Sequence, residues 1–263
     1  MKPKSHRKSN PKTSWEPLSQ WYDGWMGQDG SRHHRQLAIP AVLELLDAQS
    51  GERILDLGCG QGVLAAPIQQ AGAAYTGIDL SRSLIRIARK RHGKRGRFLV
   101  GDARALDDLP QIEAQSFDAV VFLLSIQDMQ PLDAALRAAA WALRPSGRLV
   151  ILMTHPCFRI PRQSGWGWDG NRKLQFRRVD RYLTPLQVPL KAYAQDGTKG
   201  VSRSFHRPLQ AYINALGECG LLLDRICEIP SDLKQYRGER RKAKKRADEE
   251  IPLFLGIRAW KTS

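Results

Sequence analysis

Between Arg53 and His155 the chain repeats one unit: a short apolar run, a turn, then a stretch whose apolar residues fall at helical spacing. The apolar runs are "RILDLG", "AYTGIDL", "RFLVGDA", "FDAVVFLLS" and "GRLVILMTH". Runs of strand length without polar alternation belong to strands covered on both faces, and such strands lie parallel. The stretches between them, "QGVLAAPIQQAG", "SRSLIRIARKRHG" and "PLDAALRAAAWALRP", read as helices, the second with Ser81 as its N-cap. Right-handed crossovers then wind the strands into one sheet with helices on both faces. Residues 156–207 break this rhythm with the turn-rich "SGWGWDGN" and the partly alternating "KLQFRRVDRYL". The helix "RPLQAYINALGECG" and the strands "LLLDRICEI" and "PLFLGIRAW" follow. The expected fold class is α/β: a doubly wound, mostly parallel seven-stranded sheet with an insertion after the fifth strand.

The flanks divide the 263 residues further. Residues 1–14 are polar, Lys- and Pro-rich and read as a disordered basic arm. Residues 15–50 read as a cap or lid region: Trp15, Trp21, Tyr22 and Trp25 cluster ahead of the helix "HRQLAIPAVLELLDA", which Gly51 is expected to end. Residues 51–263 form the main domain, with 156–207 roofing the sheet and 231–250 a basic surface segment. The net charge of +16 points towards nucleic acid, but its distribution weakens that reading. Residues 1–14 hold five bases and no acid, and "RGERRKAKKR" at 237–246 holds seven bases and one acid, so the body is only mildly basic. Cys59, Cys157, Cys219 and Cys227 form no CxxC pair, which argues against a zinc site and for a reducing compartment. No apolar run approaches the roughly 20 residues of a membrane span, and no signal region follows the basic start, so a cytoplasmic location is expected.

In folds of this kind ligands sit beyond the carboxyl ends of the strands. There the chain carries "DLGCGQG" after the first strand and an acid at the end of each of the first three: Asp56, Asp79 and Asp102, spaced 23 residues apart. The glycine spacing is GxGxG, not the GxGxxG of dinucleotide folds, and Val63 and Leu64 stand where a phosphate loop needs Lys and Ser or Thr. A carboxylate at Asp79 can accept both hydroxyls of a ribose, and one at Asp102 can accept from an adenine amino group. An acid-lined site without phosphate-binding bases suits a cationic adenosine.

The ordered elements "LDLGCGQG", "GIDLS" and "GDA", with "FDAVV" and "LRPSGRLVI", resemble the class I S-adenosylmethionine-dependent methyltransferases over about residues 50–155. "HPCF" and "HRPL" resemble, more loosely, a bacterial small-molecule subgroup close to the quinone-biosynthesis enzymes. The resemblance implies S-adenosylmethionine as cofactor. It implies that the loop Asp56, Gly58, Cys59, Gly60, Gln61 and Gly62 surrounds the methionine part. It also implies that Asp79 and Leu80 hold the ribose, that Asp102 and Ala103 flank the adenine, and that Ser125 faces the reactive end.

Methyl transfer asks mainly for alignment, and for a base only where the acceptor must lose a proton. His155 and His206 are the candidate catalytic residues. For each, a role in fixing its own loop or the next helix is the alternative. Tyr22, Asp128 and Arg207 are candidate acceptor contacts, and Trp21, Tyr22 and Trp25 a candidate lid. Cys157 in "PC" invites comparison with cytosine-5 RNA methyltransferases, but their second cysteine signature is missing and the fourth strand ends in "LLSIQDM". The leading expectation is methyl transfer to a small-molecule acceptor. The alternatives are an RNA methyltransferase using the basic segments and a non-catalytic S-adenosylmethionine-binding protein.

Overall fold

The computed structural model describes residues 15–190, 202–231 and 233–262. The basic arm expected at residues 1–14 lies outside the described residues. Seven strands form the central sheet: β1 (Arg53–Leu57), β2 (Ala74–Asp79), β3 (Arg97–Val100), β4 (Phe117–Leu123), β5 (Leu143–Thr154), β10 (Leu221–Ile229) and β11 (Phe254–Lys261). Their order is β10-β11-β5-β4-β1-β2-β3. The first five are parallel, and β11 runs antiparallel to both its neighbours. The expected mostly parallel seven-stranded sheet is therefore present, with its antiparallel strand second from one edge.

Side chains alternate between two cores, as strand geometry requires. Leu55, Leu57, Val120, Phe122, Leu149 and Ile151 pack against α5 (Leu132–Ala142) and α6 (Leu209–Glu218). Ile54, Ala119, Val121, Val150 and Leu152 pack on the opposite face, against α2 (Ile39–Leu46), α3 (Ala65–Gln70) and α4 (Arg82–His92). Burial on both faces explains why the strand sequences are apolar without a break.

Local chemistry sets where the helices begin and end. Ser81 Oγ accepts from Leu84 N at 3.2 Å and caps α4 as expected. The helix read from Gln61 begins only at Ala65, because Gly62 has φ +82°, outside helical space. The first helix of the main run stops at Leu46, not at Gly51: Asp47 adopts the left-handed conformation and closes it. Ahead of it, His34–Ala38 form one π-helical turn, and Pro40 sits in the first turn of α2, where its missing N–H does no harm. The short helix α1 (Ser19–Met26) precedes that turn.

The insertion contains two hairpins: β6 (Ser164–Asp169) with β7 (Leu174–Val179), and β8 (Leu186–Leu190) with β9 (Ser202–His206). The turn-rich "SGWGWD" is thus a strand. Gly167 leaves room there for the Phe176 ring, which would lie 2.3 Å from a Cβ across the hairpin. The basic segment forms α7 (Arg241–Glu250), with Arg240 just ahead of it stacked over Trp168 at 4.4 Å.

Candidate functional site

The chain turns sharply after β1. Gly58, Gly60 and Gly62 all have positive φ, at 75°, 54° and 82°. Their surroundings differ. A Cβ on Gly58 would lie 2.6 Å from Ser125 Cβ, so the loop presses against the end of β4. A Cβ on Gly62 would lie 2.5 Å from the Phe98 ring, so this glycine lets the loop pack on β3. Gly60 faces only the Tyr22 ring, at 3.6 Å from such a Cβ.

Gly60 N donates to Asp79 Oδ2 at 2.8 Å, and Ser81 N donates to Asp79 Oδ1 at 2.8 Å. Asp79 is thereby held rigidly at the tip of β2, each oxygen keeping a lone pair for a ligand. Burial raises the Asp79 carboxyl, and the two amides work against that rise.

A cavity of about 120 Å³ lies above these strand ends. Gly58, Gly60, Asp79, Leu80, Asp102, Ala103 and Ser125 line it, as do Tyr22, Trp15 and Asp128. Seven of the residues expected around a cofactor are thus brought together. Asp102 is engaged by Arg104, whose Nε reaches Oδ1 at 2.8 Å and whose Nη2 reaches Oδ2 at 2.5 Å. Burial pushes Asp102 up, but the guanidinium outweighs it and holds the carboxyl low. Ser125 Oγ donates to Leu57 O at 2.6 Å, tying β4 to the loop.

Four residues of the expected set lie elsewhere. Asp56 is 1% exposed and accepts from Tyr75 Oη at 2.7 Å beneath the loop. Burial, opposed by that hydrogen bond, pushes it up to about 7. The Cys59 thiol is buried, and burial raises it too. Gln61 donates to Gly27 O, tethering the end of the N-terminal segment. Gly62 faces Phe98. These four build the loop from below and are absent from the lining of the 120 Å³ cavity.

Residues 15–27 cross the top. Glu16 accepts from Ser81 Oγ at 2.6 Å, Ser83 N at 3.0 Å and Ser83 Oγ at 2.7 Å, at the N-terminus of α4. Asp23 pairs with Arg91 at 2.6 Å. Trp15 Nε1 donates to Asp128 Oδ2 at 3.1 Å. Glu16 and Arg104 carry no signal in the sequence, and Trp15 stands out there only as part of the aromatic cluster. Of the lid candidates, Tyr22 lines both cavities and Trp25 the larger, whereas Trp21 lines neither and stacks on Trp25 at 6.2 Å.

A second cavity, of about 430 Å³, shares Trp15, Tyr22, Leu124 and Asp128 with the first. Trp25, Phe205, Tyr212 and Phe254 supply apolar walls, and His33, His34, Arg159, His206 and Arg207 supply polar ones. His206 Nε2 donates to Tyr182 O at 2.6 Å, which leaves Nδ1 as the basic nitrogen. Burial lowers the imidazole against the pull of that carbonyl, so it is neutral at pH 7. Arg207 Nη2 donates to Gln130 Oε1 at 2.6 Å and to Met129 O at 2.5 Å. Asp128 sits in the shared wall. Burial, opposed by Trp15, Ser204 and the Arg207 charge, pushes it up to about 7. Its Oδ1 is buried and meets no donor with hydrogen-bonding geometry.

His155 lies elsewhere. Its Nε2 donates to Glu228 Oε1 at 2.8 Å and its Nδ1 accepts from Cys157 N at 3.2 Å. Both ring nitrogens are occupied by the fold, the arrangement expected of a histidine that fixes its loop. Cys157 Sγ approaches Tyr182 Oη at 3.5 Å and lines neither cavity. Among the described residues there is no cluster of metal-ligating side chains and no helix long and apolar enough to cross a membrane.

Residues 55–151 match a family model described as a methyltransferase domain. The chain is 32% identical over 130 residues to a ubiquinone biosynthesis O-methyltransferase of Xanthomonas axonopodis pv. citri, covering 48% of this chain and 54% of that protein. It is 36% identical over 118 residues to a demethylmenaquinone methyltransferase of Tropheryma whipplei, covering 44% and 48%. The chain therefore spans about half the length of the curated relatives it matches. A crystal structure of an S-adenosylmethionine-dependent methyltransferase from Mesorhizobium loti superposes with a TM-score of 0.65 at 25% identity, covering 89% of this chain and all of that one.

Proposed function

The chain belongs to the class I S-adenosylmethionine-dependent methyltransferases, and from that premise we propose that it transfers a methyl group to a small molecule held in the larger cavity. The observation that carries this reading is the pairing of an acid-lined cavity at the strand ends with a larger, aromatic-walled one across a shared wall.

The residues present fit the cofactor. Asp79, Asp102 and Asp128 line the smaller cavity, and its single arginine, Arg104, is neutralised by Asp102. That surplus of acid suits a sulfonium and disfavours phosphate. Asp79 would hold the ribose, Leu80 and Ala103 would flank the adenine with Asp102 beside it, and Gly58, Gly60 and Ser125 would border the methionine part. When bound, S-adenosylmethionine supplies an already activated methyl group. The chain's own work is orientation, exclusion of water and handling of one proton. Tyr22 and Trp15 cover the junction between the cavities and exclude water from it. Asp128 Oδ1 would accept the proton of an O–H or N–H acceptor as the new bond to the methyl carbon forms. A carboxylate poised near neutrality is suited to that exchange. His206 Nδ1 is the second candidate proton acceptor on the same wall.

The RNA reading is weakened where four of the bases it would use serve the fold. Arg89 donates to Phe98 O, Arg91 pairs with Asp23, Arg95 contacts His92, and Arg240 stacks on Trp168. The test is transfer of labelled methyl from S-adenosylmethionine to cell extract, fractionated with and without ribonuclease. Label in small molecules, indifferent to ribonuclease, is expected. Label lost to ribonuclease overturns the proposal, and binding without any turnover would leave a non-catalytic binding protein.

A further inference from the structure

The larger cavity holds an electrostatic imbalance that the fold does not correct. Arg207 is 7% exposed; its guanidinium donates to the neutral Met129 O and Gln130 Oε1 and lies over the Phe205 and Tyr212 rings at 5.4 Å and 5.9 Å, and its Nη1 meets no hydrogen-bond acceptor. Arg159, half-buried on the same cavity, hydrogen-bonds only to backbone, Nε to Pro252 O at 3.0 Å and Nη2 to Ile251 O at 3.0 Å; it also stacks over Trp166 at 5.0 Å, and the Asp248 charge favours it without forming an ion pair. Among the described residues neither forms an ion pair with a carboxylate.

Four other sheltered arginines are paired with a carboxylate: Arg91 has Asp23, Arg104 has Asp102, Arg148 has Glu52 and Arg258 has Asp224. Arg177, half-buried beside Arg159, by contrast donates only to Phe158 O and Ser164 Oγ among the described residues. A buried cation without a counter-ion is costly, and a fold tolerates it where a ligand brings the missing charge. Neighbours make the cost visible at Arg159. Burial, with the charge of Arg177 beyond Trp166, lowers it to about 10, so it still carries its charge at neutral pH. Among the described residues the one acid on this cavity, Asp128, feels Arg207 but makes no ion pair with it, and it lies on the wall shared with the other cavity. The remaining walls combine the rings of Trp25, Phe205, Tyr212 and Phe254 with uncharged polar groups such as Gln127 and His206.

We infer that the methyl acceptor is a small organic acid: an apolar, ring-sized body whose carboxylate is anchored by Arg207 and Arg159, with the group to be methylated turned towards Asp128. This deepens the proposed function and rests on it. The carboxylate is the anchor and stays unmodified. The methyl carbon bonds to a second O–H or N–H group, whose proton goes to Asp128.

The test is equilibrium binding to the full chain saturated with S-adenosylhomocysteine. The probes are monocarboxylates from acetate through benzoate to 2-naphthoate, each set against its primary amide, at 150 mM salt. Wild type is expected to bind benzoate or 2-naphthoate at least about tenfold more tightly than the amide, the scale of a charge-assisted hydrogen-bond pair. Arg207→Met and Arg159→Met should each reduce that preference, and the double variant should remove it, while affinity for S-adenosylhomocysteine stays within about twofold. Equal binding of acid and amide by wild type, or no binding of either, overturns the inference without recourse to any variant. So does a preference that survives in the double variant. Failure of wild type to bind S-adenosylhomocysteine at all would instead sink the functional reading beneath it.

Discussion

The two cavities share one wall and carry opposite charge. The one at the strand ends is lined by Asp79, Asp102 and Asp128, and its single arginine is neutralised. The other carries Arg159 and Arg207, and among the described residues neither is paired with a carboxylate and the cavity meets an acid only at the common wall. Their origins differ as well. The first is built largely from consecutive strand ends, where two backbone amides fix Asp79 and Arg104 fixes Asp102. The second is assembled from the N-terminal segment, the insertion and the start of α6, which only the tertiary fold brings together. An acid-lined chamber beside a guanidinium-lined one can sort a cationic donor from an anionic acceptor before any chemistry begins.

The comparison breaks most completely at Asp79. Asp79→Ala removes an acceptor for two hydroxyls and leaves Gly60 N and Ser81 N without a partner. Affinity for S-adenosylhomocysteine should fall by about 100-fold or more in calorimetry, with little change at the other cavity. Asp128→Asn sharpens the boundary between the two. Turnover should fall by about 10² to 10⁴ with cofactor affinity nearly intact. In wild type the rate should rise with pH through about 7 and level off above, because the carboxylate must be deprotonated to accept the proton, and Asn should abolish that rise.

Smaller effects concern the frame around both chambers. Gly62→Ala places a methyl 2.5 Å from Phe98 at φ +82° and should cost about 1–3 kcal/mol of stability in denaturant unfolding. His155→Gln should lower the melting temperature while leaving the pH profile of turnover in place. A lost profile would return His155 to the chemistry.

The smallest effect is expected at Glu16. Burial pushes this carboxyl up, but hydrogen bonds from Ser81 and Ser83 outweigh it, so its folded value lies below 4.5. Its contribution is therefore complete above pH 4.5 and lost as pH falls further. The melting-temperature gap between wild type and Glu16→Gln should be present at pH 7 and close in acid.

The two regions also differ in how far they could be read from the chain. The strand-end acids and glycines are local in sequence, each tied to its own strand, so their order and spacing were legible. Periodicity also showed which runs are covered on both faces. It did not show that Asp56, Cys59, Gln61 and Gly62 support the loop from below, because face and depth depend on Tyr75 and Phe98 packing beneath them. The larger cavity was barely legible. Arg207 and His206 stood out beside a helix start, but Arg159 did not, since a guanidinium missing its counter-ion is recognisable only when every neighbour is in place. The contacts of Trp15 and Glu16 were equally hidden: their partners, Asp128 and Ser81 with Ser83, lie 65 or more residues away.

The most direct test is a crystal structure of the chain with S-adenosylhomocysteine. The account expects the ribose on Asp79, the adenine between Leu80 and Ala103 beside Asp102, and the sulfur directed at the wall formed by Tyr22 and Asp128, with the larger cavity left open. Density for the nucleoside in the larger cavity, or a sulfur turned away from Asp128, would contradict the assignment of donor and acceptor to the two chambers.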